Sequence, residues 1–289
     1  MLNLTDMQTV RALAKRHAFS FSKGLGQNFL IDPEVCPAIA EYGIPSPACG
    51  VLEIGTGFGV LTQQLALKSE QVAAVELDRR LQPVLAETLR GFENITVIWQ
   101  DILKVDPAEF VREQFGGREV CVCANLPYYI TSPVLMHLLE SDAKFRSITV
   151  MVQKEAAERL CAEIGSRKAG AVTAAVQLRG RAELMFHVPR TAFFPAPKVD
   201  SAVIRITPHE VPPCTPEELK RVLNVVKAGF AQRRKTAVNA LAGGLSLDKE
   251  AVTAALRACG CSETVRFEQL DMETLLRLCE ALAGSAGIQ

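Results

Sequence analysis

Short runs of β-branched and other apolar residues recur along the chain at 51–54, 72–75, 95–99, 120–123, 148–152, 184–188 and 202–206. Each is too short for a helix and is flanked by turn-forming residues, so each reads as a strand. Between them apolar positions return at helical spacing over 33–42, 60–68, 79–90, 107–115, 132–139, 154–162 and 171–178. Strands that alternate with helices predict an α/β fold built on a mostly parallel, seven-stranded sheet. Asp32 and Ser132 each precede a proline, the order expected of a capping side chain before a proline at the first helical position. Only 189–201 separates the last two strands, too little for a crossover helix, so the sheet is expected to end in an antiparallel, hairpin-like pair.

Beyond Pro208 the pattern changes. Pro212-Pro213-Cys214-Thr215-Pro216 reads as a linker, and helical periodicity then continues over 217–228, 234–241, 248–258 and 268–283. The expected organisation is an α/β domain over 1–210 and a small all-α domain over 211–289.

Composition narrows the functional classes. With 48% apolar and 22% charged residues, the chain can bury a large core, and disorder is not its theme. No apolar run is long enough to span a membrane and no secretory signal opens the sequence, so a cytoplasmic location without membrane association is expected. The nine cysteines include two C-x-C pairs, Cys121/Cys123 and Cys259/Cys261, but no zinc-type spacing, and are expected to be reduced, mostly buried thiols. His17, His137, His187 and His209 are scattered, with no H-E-x-x-H or G-x-S-x-G, which argues against metalloprotease and hydrolase chemistry. Net charge is zero, yet residues 220–240 carry Lys220, Arg221, Lys227, Arg233, Arg234 and Lys235 with no acid. Residues 1–30 add Arg11, Lys15, Arg16 and Lys23 against Asp6 alone. Such clusters are either solvated helix faces or local phosphate-binding potential.

Candidate chemistry gathers at the ends of the first four strands. Glu53-Ile54-Gly55-Thr56-Gly57-Phe58-Gly59 is a glycine-rich strand-to-helix turn that lets a ligand approach the backbone. Its two-and-two spacing departs from the G-x-G-x-x-G of pyrophosphate binding and favours a cofactor with no phosphates to cradle. Glu53, Gly55 and Gly57 are candidate contacts to it. Glu76, 21 residues after Gly55, ends the second strand, where a carboxylate accepts both ribose hydroxyls of a nucleoside. Asp78 reads as a helix cap, and Asp101 as an acceptor for an adenine amine or another strand-end cap.

The fourth strand runs into Asn125-Leu126-Pro127-Tyr128. Adenine's exocyclic nitrogen is a poor nucleophile because its lone pair is delocalised into the ring. The Asn125 side-chain carbonyl and the Leu126 backbone carbonyl are suited to accept its two hydrogens, Pro127 to stiffen the turn, and Tyr128 to stack on the base. No strong base is needed, because the amine becomes acidic only as a methyl group arrives. The alternative reading is an ordinary Asn-Pro turn with a core tyrosine.

Taken together these segments resemble the ribosomal small-subunit adenine dimethyltransferases. The resemblance covers nearly the whole chain and rests on Lys23-Gly24-Leu25-Gly26-Gln27-Asn28-Phe29-Leu30, Glu53 to Gly57, Glu76-Leu77-Asp78, Asn125 to Tyr128, Gln153-Lys154-Glu155, the stretch from Phe193 to Ser201, and Arg233-Arg234-Lys235. It implies a Rossmann-like class I methyltransferase fold and S-adenosylmethionine as cofactor. Cofactor contacts are implied at Gln27, Asn28, Leu30, Gly55, Glu76, Asp101 and Asn125. Phe193 would hold the target base opposite Tyr128, and Lys23, Arg233, Arg234 and Lys235 would contact RNA. The implied reaction is dimethylation of two adjacent adenines in the 3′-terminal hairpin of 16S rRNA, within the 30S subunit or its precursor, by a monomeric enzyme. Leu126 stands where many single-methylating amine enzymes carry a second proline, and is expected to leave room for the monomethyl intermediate. The chain departs from the family at Lys168-Ala169-Gly170-Ala171, where an aromatic residue and an arginine are missing. A 23S rRNA adenine methyltransferase, a non-catalytic RNA-binding assembly factor and, more distantly, a dehydrogenase are the competing readings.

Overall fold

The structure, a computed structural model, describes residues 2–20 and 28–283. Nine strands are present among them: β1 (Phe29–Leu30), β2 (Gly50–Ile54), β3 (Gln71–Glu76), β4 (Ile95–Trp99), β5 (Val120–Asn125), β6 (Phe145–Gln153), β7 (Gly180–Val188), β8 (Phe193–Phe194) and β9 (Ser201–Pro208). Seven form one sheet in the order β4-β3-β2-β5-β6-β9-β7. The pairs from β4 through β6 are parallel, and β9 runs antiparallel to β6. All five residues of β2 are buried, as expected of a parallel strand covered on both faces.

The last two strands of the sheet are neighbours at its end, as expected, but their order was not readable from the sequence. β9, last in sequence, inserts between β6 and β7. Burial explains the exchange: Ala202, Val203, Ile204 and Ile206 are fully buried, whereas most of β7 is partly exposed and carries Arg181 and Glu183, which suits an edge strand.

Local chemistry sets the helix ends. Asp106 caps Pro107–Phe115 by accepting from the amides of Ala108 and Glu109, and Gly116 closes it in the left-handed conformation. Asp32 accepts from the Glu34 amide, but the helix expected from Pro33 begins at Val35, behind Glu34, with no side-chain cap, and Ser132 makes no cap either. The helix Thr131–Glu140 starts one residue earlier, out of the turn that follows Pro127.

Two features lay outside the expectations. Met7–Arg16, a range in which no helix was expected, is a helix capped by Asp6 and burying Val10, Leu13 and Ala14. The Asp6 cap and the i, i+3, i+4 apolar spacing were both available in the sequence. Its apolar face joins Leu4, Phe19, Phe29, Phe58 and Leu81 in one cluster, with Phe29 and Phe58 packed edge-on at 4.6 Å. The second feature is a small antiparallel sheet of β1 and β8, which pairs Phe29 with Phe194 and Leu30 with Phe193.

The chain divides into two compact units. One comprises residues 1–157 and 182–208, the other 158–181 and 209–289. The single boundary expected near 210 therefore misses a segment, because the helix Ala171–Arg179 packs on Pro216–Ala231. In the helical unit Thr215 and Glu218 form a reciprocal capping box at the start of Pro216–Ala231. The next helix, expected from 234, begins at Ala237 behind the Thr236 cap. Arg233, Arg234 and Lys235 thus lie in the turn between two helices. All nine cysteines are free thiols, five of them buried. Burial pushes Cys121 and Cys279 up to about 12, which keeps them protonated and unreactive.

Candidate active site

A cleft of about 1250 Å³, its open mouth included, lies at the carboxyl ends of β2, β3, β4 and β5. Its floor is the turn after β2. Gly55 has φ of +78° and lines the cleft, and a Cβ built there meets nothing within 4 Å. A side chain at this position would occupy ligand space. Gly57 is also left-handed, at +52°, and lines the same wall.

Glu76 organises this turn. Its Oε2 accepts from the Thr56 amide at 2.9 Å, the Thr56 hydroxyl at 3.0 Å and the Gly57 amide at 3.3 Å, and Oε1 accepts from the Asp78 amide at 2.8 Å. A carboxylate offers about four lone-pair positions, so Oε2 is saturated and Oε1 retains room for one ribose hydroxyl rather than both. Asp78 does cap the following turn, through the Arg80 amide, and also binds the Arg80 guanidinium.

Glu53 is corrected. It does not line the cleft but is fully buried, with neither carboxylate oxygen hydrogen-bonded among the described residues. Burial raises its carboxyl to about 8, so it is held protonated at neutral pH.

Asp101 lines the cleft while its Oδ1 accepts from the Leu103 amide at 3.0 Å. The cap and the binding reading coexist, since that bond leaves Oδ2 unengaged among the described residues. Leu77 and Ile102, from the residues after Glu76 and Asp101, also line the cleft and supply the flat apolar walls a purine needs. Leu4 and Val10 line it too, contributions that sequence motifs alone did not signal.

The reaction loop closes the other end. Asn125, Leu126, Pro127, Tyr128 and Phe193 all line the cleft, as do Asn28 and Leu30. The β1–β8 pairing brings Leu30 and Phe193 together across 163 positions. The Asn125 side chain makes no hydrogen bond among the described residues, and neither does the Leu126 carbonyl, whereas the Pro127 carbonyl is engaged by the Ile130 amide at 3.1 Å. Two acceptors are thus open where an amine would arrive. The Leu126 amide donates to the Met151 carbonyl at 3.3 Å, so a proline there would loosen the loop from β6 as well as alter the room beside the amine. Tyr128 is held by a 2.7 Å bond between its hydroxyl and Ser201 Oγ. Burial raises its hydroxyl above the usual phenol range, the Ser201 bond opposes this, and Asp200 adds to it.

The basic candidates separate. Lys23 and Gln27 lie outside the described residues. Arg233 is committed to the protein: it binds Glu268 at 3.0 Å and the carbonyls of Arg167 and Ala169 at 3.0 and 2.9 Å. It thereby pins the loop in which the chain departs from its family. Arg234 and Lys235 are exposed.

A cleft with a left-handed glycine turn and strand-end carboxylates on one side and two open carbonyl acceptors on the other fits a methyltransferase using S-adenosylmethionine. Residues 18–283 match the family model described as ribosomal RNA adenine dimethylase. A Streptococcus pneumoniae (strain P1031) protein named ribosomal RNA small subunit methyltransferase A is 42% identical over 288 residues, 98% of this chain and 99% of that protein. One of the same name from Geobacillus thermodenitrificans (strain NG80-2) is 44% identical, with 96% of each chain covered. Among solved structures, the 23S rRNA methyltransferase ErmE matches with a TM-score of 0.65 and 30% identity, over 89% of this chain and 100% of that one. A dimethyladenosine transferase from Plasmodium falciparum matches with 0.67 and 25% identity, over 86% and 95%. The chain belongs to the ribosomal RNA adenine dimethylase family.

Proposed function

We propose that the substrate is 16S rRNA in the 30S subunit or its late precursor, and that the enzyme adds two methyl groups to each of two adjacent adenines in the 3′-terminal hairpin. The observation that carries this reading is near end-to-end identity of 42–44% with proteins named for the small subunit, against 30% with a 23S enzyme. The protein acts in the cytoplasm as a monomer. No described helix is long and apolar enough to cross a membrane.

S-adenosylmethionine, when bound, would supply an electrophilic sulfonium methyl and leave as the neutral thioether once its S–C bond breaks. Gly55 and Gly57 would leave space for it, Glu76 Oε1 would accept a ribose hydroxyl, and Asp101 would accept from its adenine amine. Asn125 Oδ1 and the Leu126 carbonyl take the two hydrogens of the target amine, which turns its lone pair out of the ring and toward the methyl. Tyr128 and Phe193 hold the base, and the proton leaves to water once the nitrogen carries the methyl. In the second round one N–H remains, so one acceptor suffices and the other side accommodates the first methyl. Arg234 and Lys235 contact RNA phosphates.

Mass spectrometry of adenosines from unmethylated 30S particles, 50S particles and naked 23S rRNA after incubation with labelled cofactor tests this. Dimethyladenosine from 30S alone is expected; label in 23S rRNA alone would overturn the 16S assignment. With the same particles, Arg234→Ala/Lys235→Ala is expected to flatten the salt dependence of binding, and an unchanged slope would remove these contacts.

A further inference from the structure

Tyr129 is the next residue after Tyr128 and behaves in the opposite way. The two share a one-turn 3₁₀ segment, Tyr128–Ile130. Successive residues of such a turn point about 120° apart, so the two rings face different parts of the cleft they both line. Tyr128 is partly buried and tied to Ser201. Tyr129 lines the same cleft, leaves 54% of its surface exposed to solvent, and has no hydrogen bond or ring contact among the described residues. A single exposed apolar residue means little in general. This one is an aromatic ring on the solvent side of a cleft that a base must enter, one residue beyond a segment tied down by the Leu126–Met151 and Tyr128–Ser201 bonds.

Entry of an adenine into the cleft requires that it leave its stack. The nucleotide beside it then loses a stacking partner just outside the mouth. We propose that Tyr129 replaces that partner: it is the platform on which the base flanking the target adenine stacks, while Tyr128 and Phe193 grip the target itself. Base–aromatic stacking tolerates any base identity, so Tyr129 selects an unstacked, flipped geometry rather than a sequence. The inference rests on the reading that the substrate is an adenine in RNA.

The test is a double-perturbation cycle on 30S particles reconstituted with 16S rRNA, intact or with an abasic nucleotide on the 5′ or the 3′ side of a target adenine. Tyr129→Ala on intact RNA is expected to lower kcat/KM for the particle about tenfold, leaving the KM for S-adenosylmethionine and the melting temperature unchanged. Tyr129→Trp is expected to restore it. The abasic particle on one side should cost wild-type enzyme a similar factor and cost Tyr129→Ala nothing further. Additive losses on both sides, an unaltered kcat/KM in Tyr129→Ala, or an equal rise in cofactor KM would overturn the stack. Wild-type enzyme that fails to methylate intact 30S particles, but methylates 23S rRNA, would instead overturn the 16S reading; the same cycle on 23S rRNA then decides the stack.

Discussion

The two ends of the cleft are built on opposite principles. At the cofactor end, Glu76 is engaged by four donors, three from the turn after β2 and one from its own, and Asp101 caps the turn that follows it, so the backbone is stiff before any ligand arrives. At the acceptor end, Asn125 and the Leu126 carbonyl have no partners among the described residues, and rigidity comes from neighbours that do not touch the amine: Met151 holds the loop amide and Ser201 holds Tyr128. The contrast teaches a division of labour. Binding groups can afford to double as structural ones, because a nucleoside needs only the lone pairs left over. Groups that polarise a reacting nitrogen must be kept free, and their positions must be fixed by others.

The largest test separates the two ends. Asn125→Ala is expected to lower kcat by about 10²–10³-fold, the scale for removing one polarising group, far more than it weakens cofactor binding. Glu76→Ala should do the reverse, weakening cofactor binding and lowering the melting temperature together. Single-turnover methyl transfer and calorimetric cofactor titration measure both. If Asn125→Ala weakened cofactor binding as much as turnover, the division would collapse.

A second test concerns the buried Glu53 carboxyl. Folded protein keeps a proton on Glu53 up to about pH 8, whereas the unfolded chain releases it near the ordinary carboxylate value. The folded state therefore loses stability as pH rises from about 4.5 to about 8, by a few kcal/mol at most, and this contribution is flat above that range. Glu53→Gln carries no such proton and should lack this part of the slope. Urea unfolding of both proteins at pH 5 and pH 8 is the measurement, and parallel pH dependence would show that Glu53 is ionised in the folded state.

The smallest effect is expected from Ser201→Ala. Losing one hydrogen bond costs about 0.5–1.5 kcal/mol, here read as a several-fold lower kcat/KM for RNA with cofactor KM intact, and Ser201→Thr should recover part of it. An unaltered kcat/KM in Ser201→Ala would mean that packing alone orients Tyr128.

Much of this site was legible because an α/β sheet collects the ends of its parallel strands on one side. Gly55, Glu76, Asp101 and Asn125 are far apart in sequence, yet each follows a readable strand. Glu53 was misread because its place in a motif was taken for contact. Burial of the whole of β2 directs its side chain into the core, and only the end of that strand reaches the cleft. Arg233 was misread because charge density reports potential, not the two carbonyls and the glutamate already waiting for it.

The sequence by itself determined the alternation of strands and helices, the turn chemistry after each strand and the residue types at the reaction loop, because these depend on periodicity and on neighbours a few positions away. Tertiary structure alone decided the insertion of β9, the pairing of Leu30 with Phe193, the bond from Tyr128 to Ser201 and the burial of Glu53. Each of these depends on which distant segments share a face, and that is set by packing and desolvation over the whole unit rather than by any local pattern.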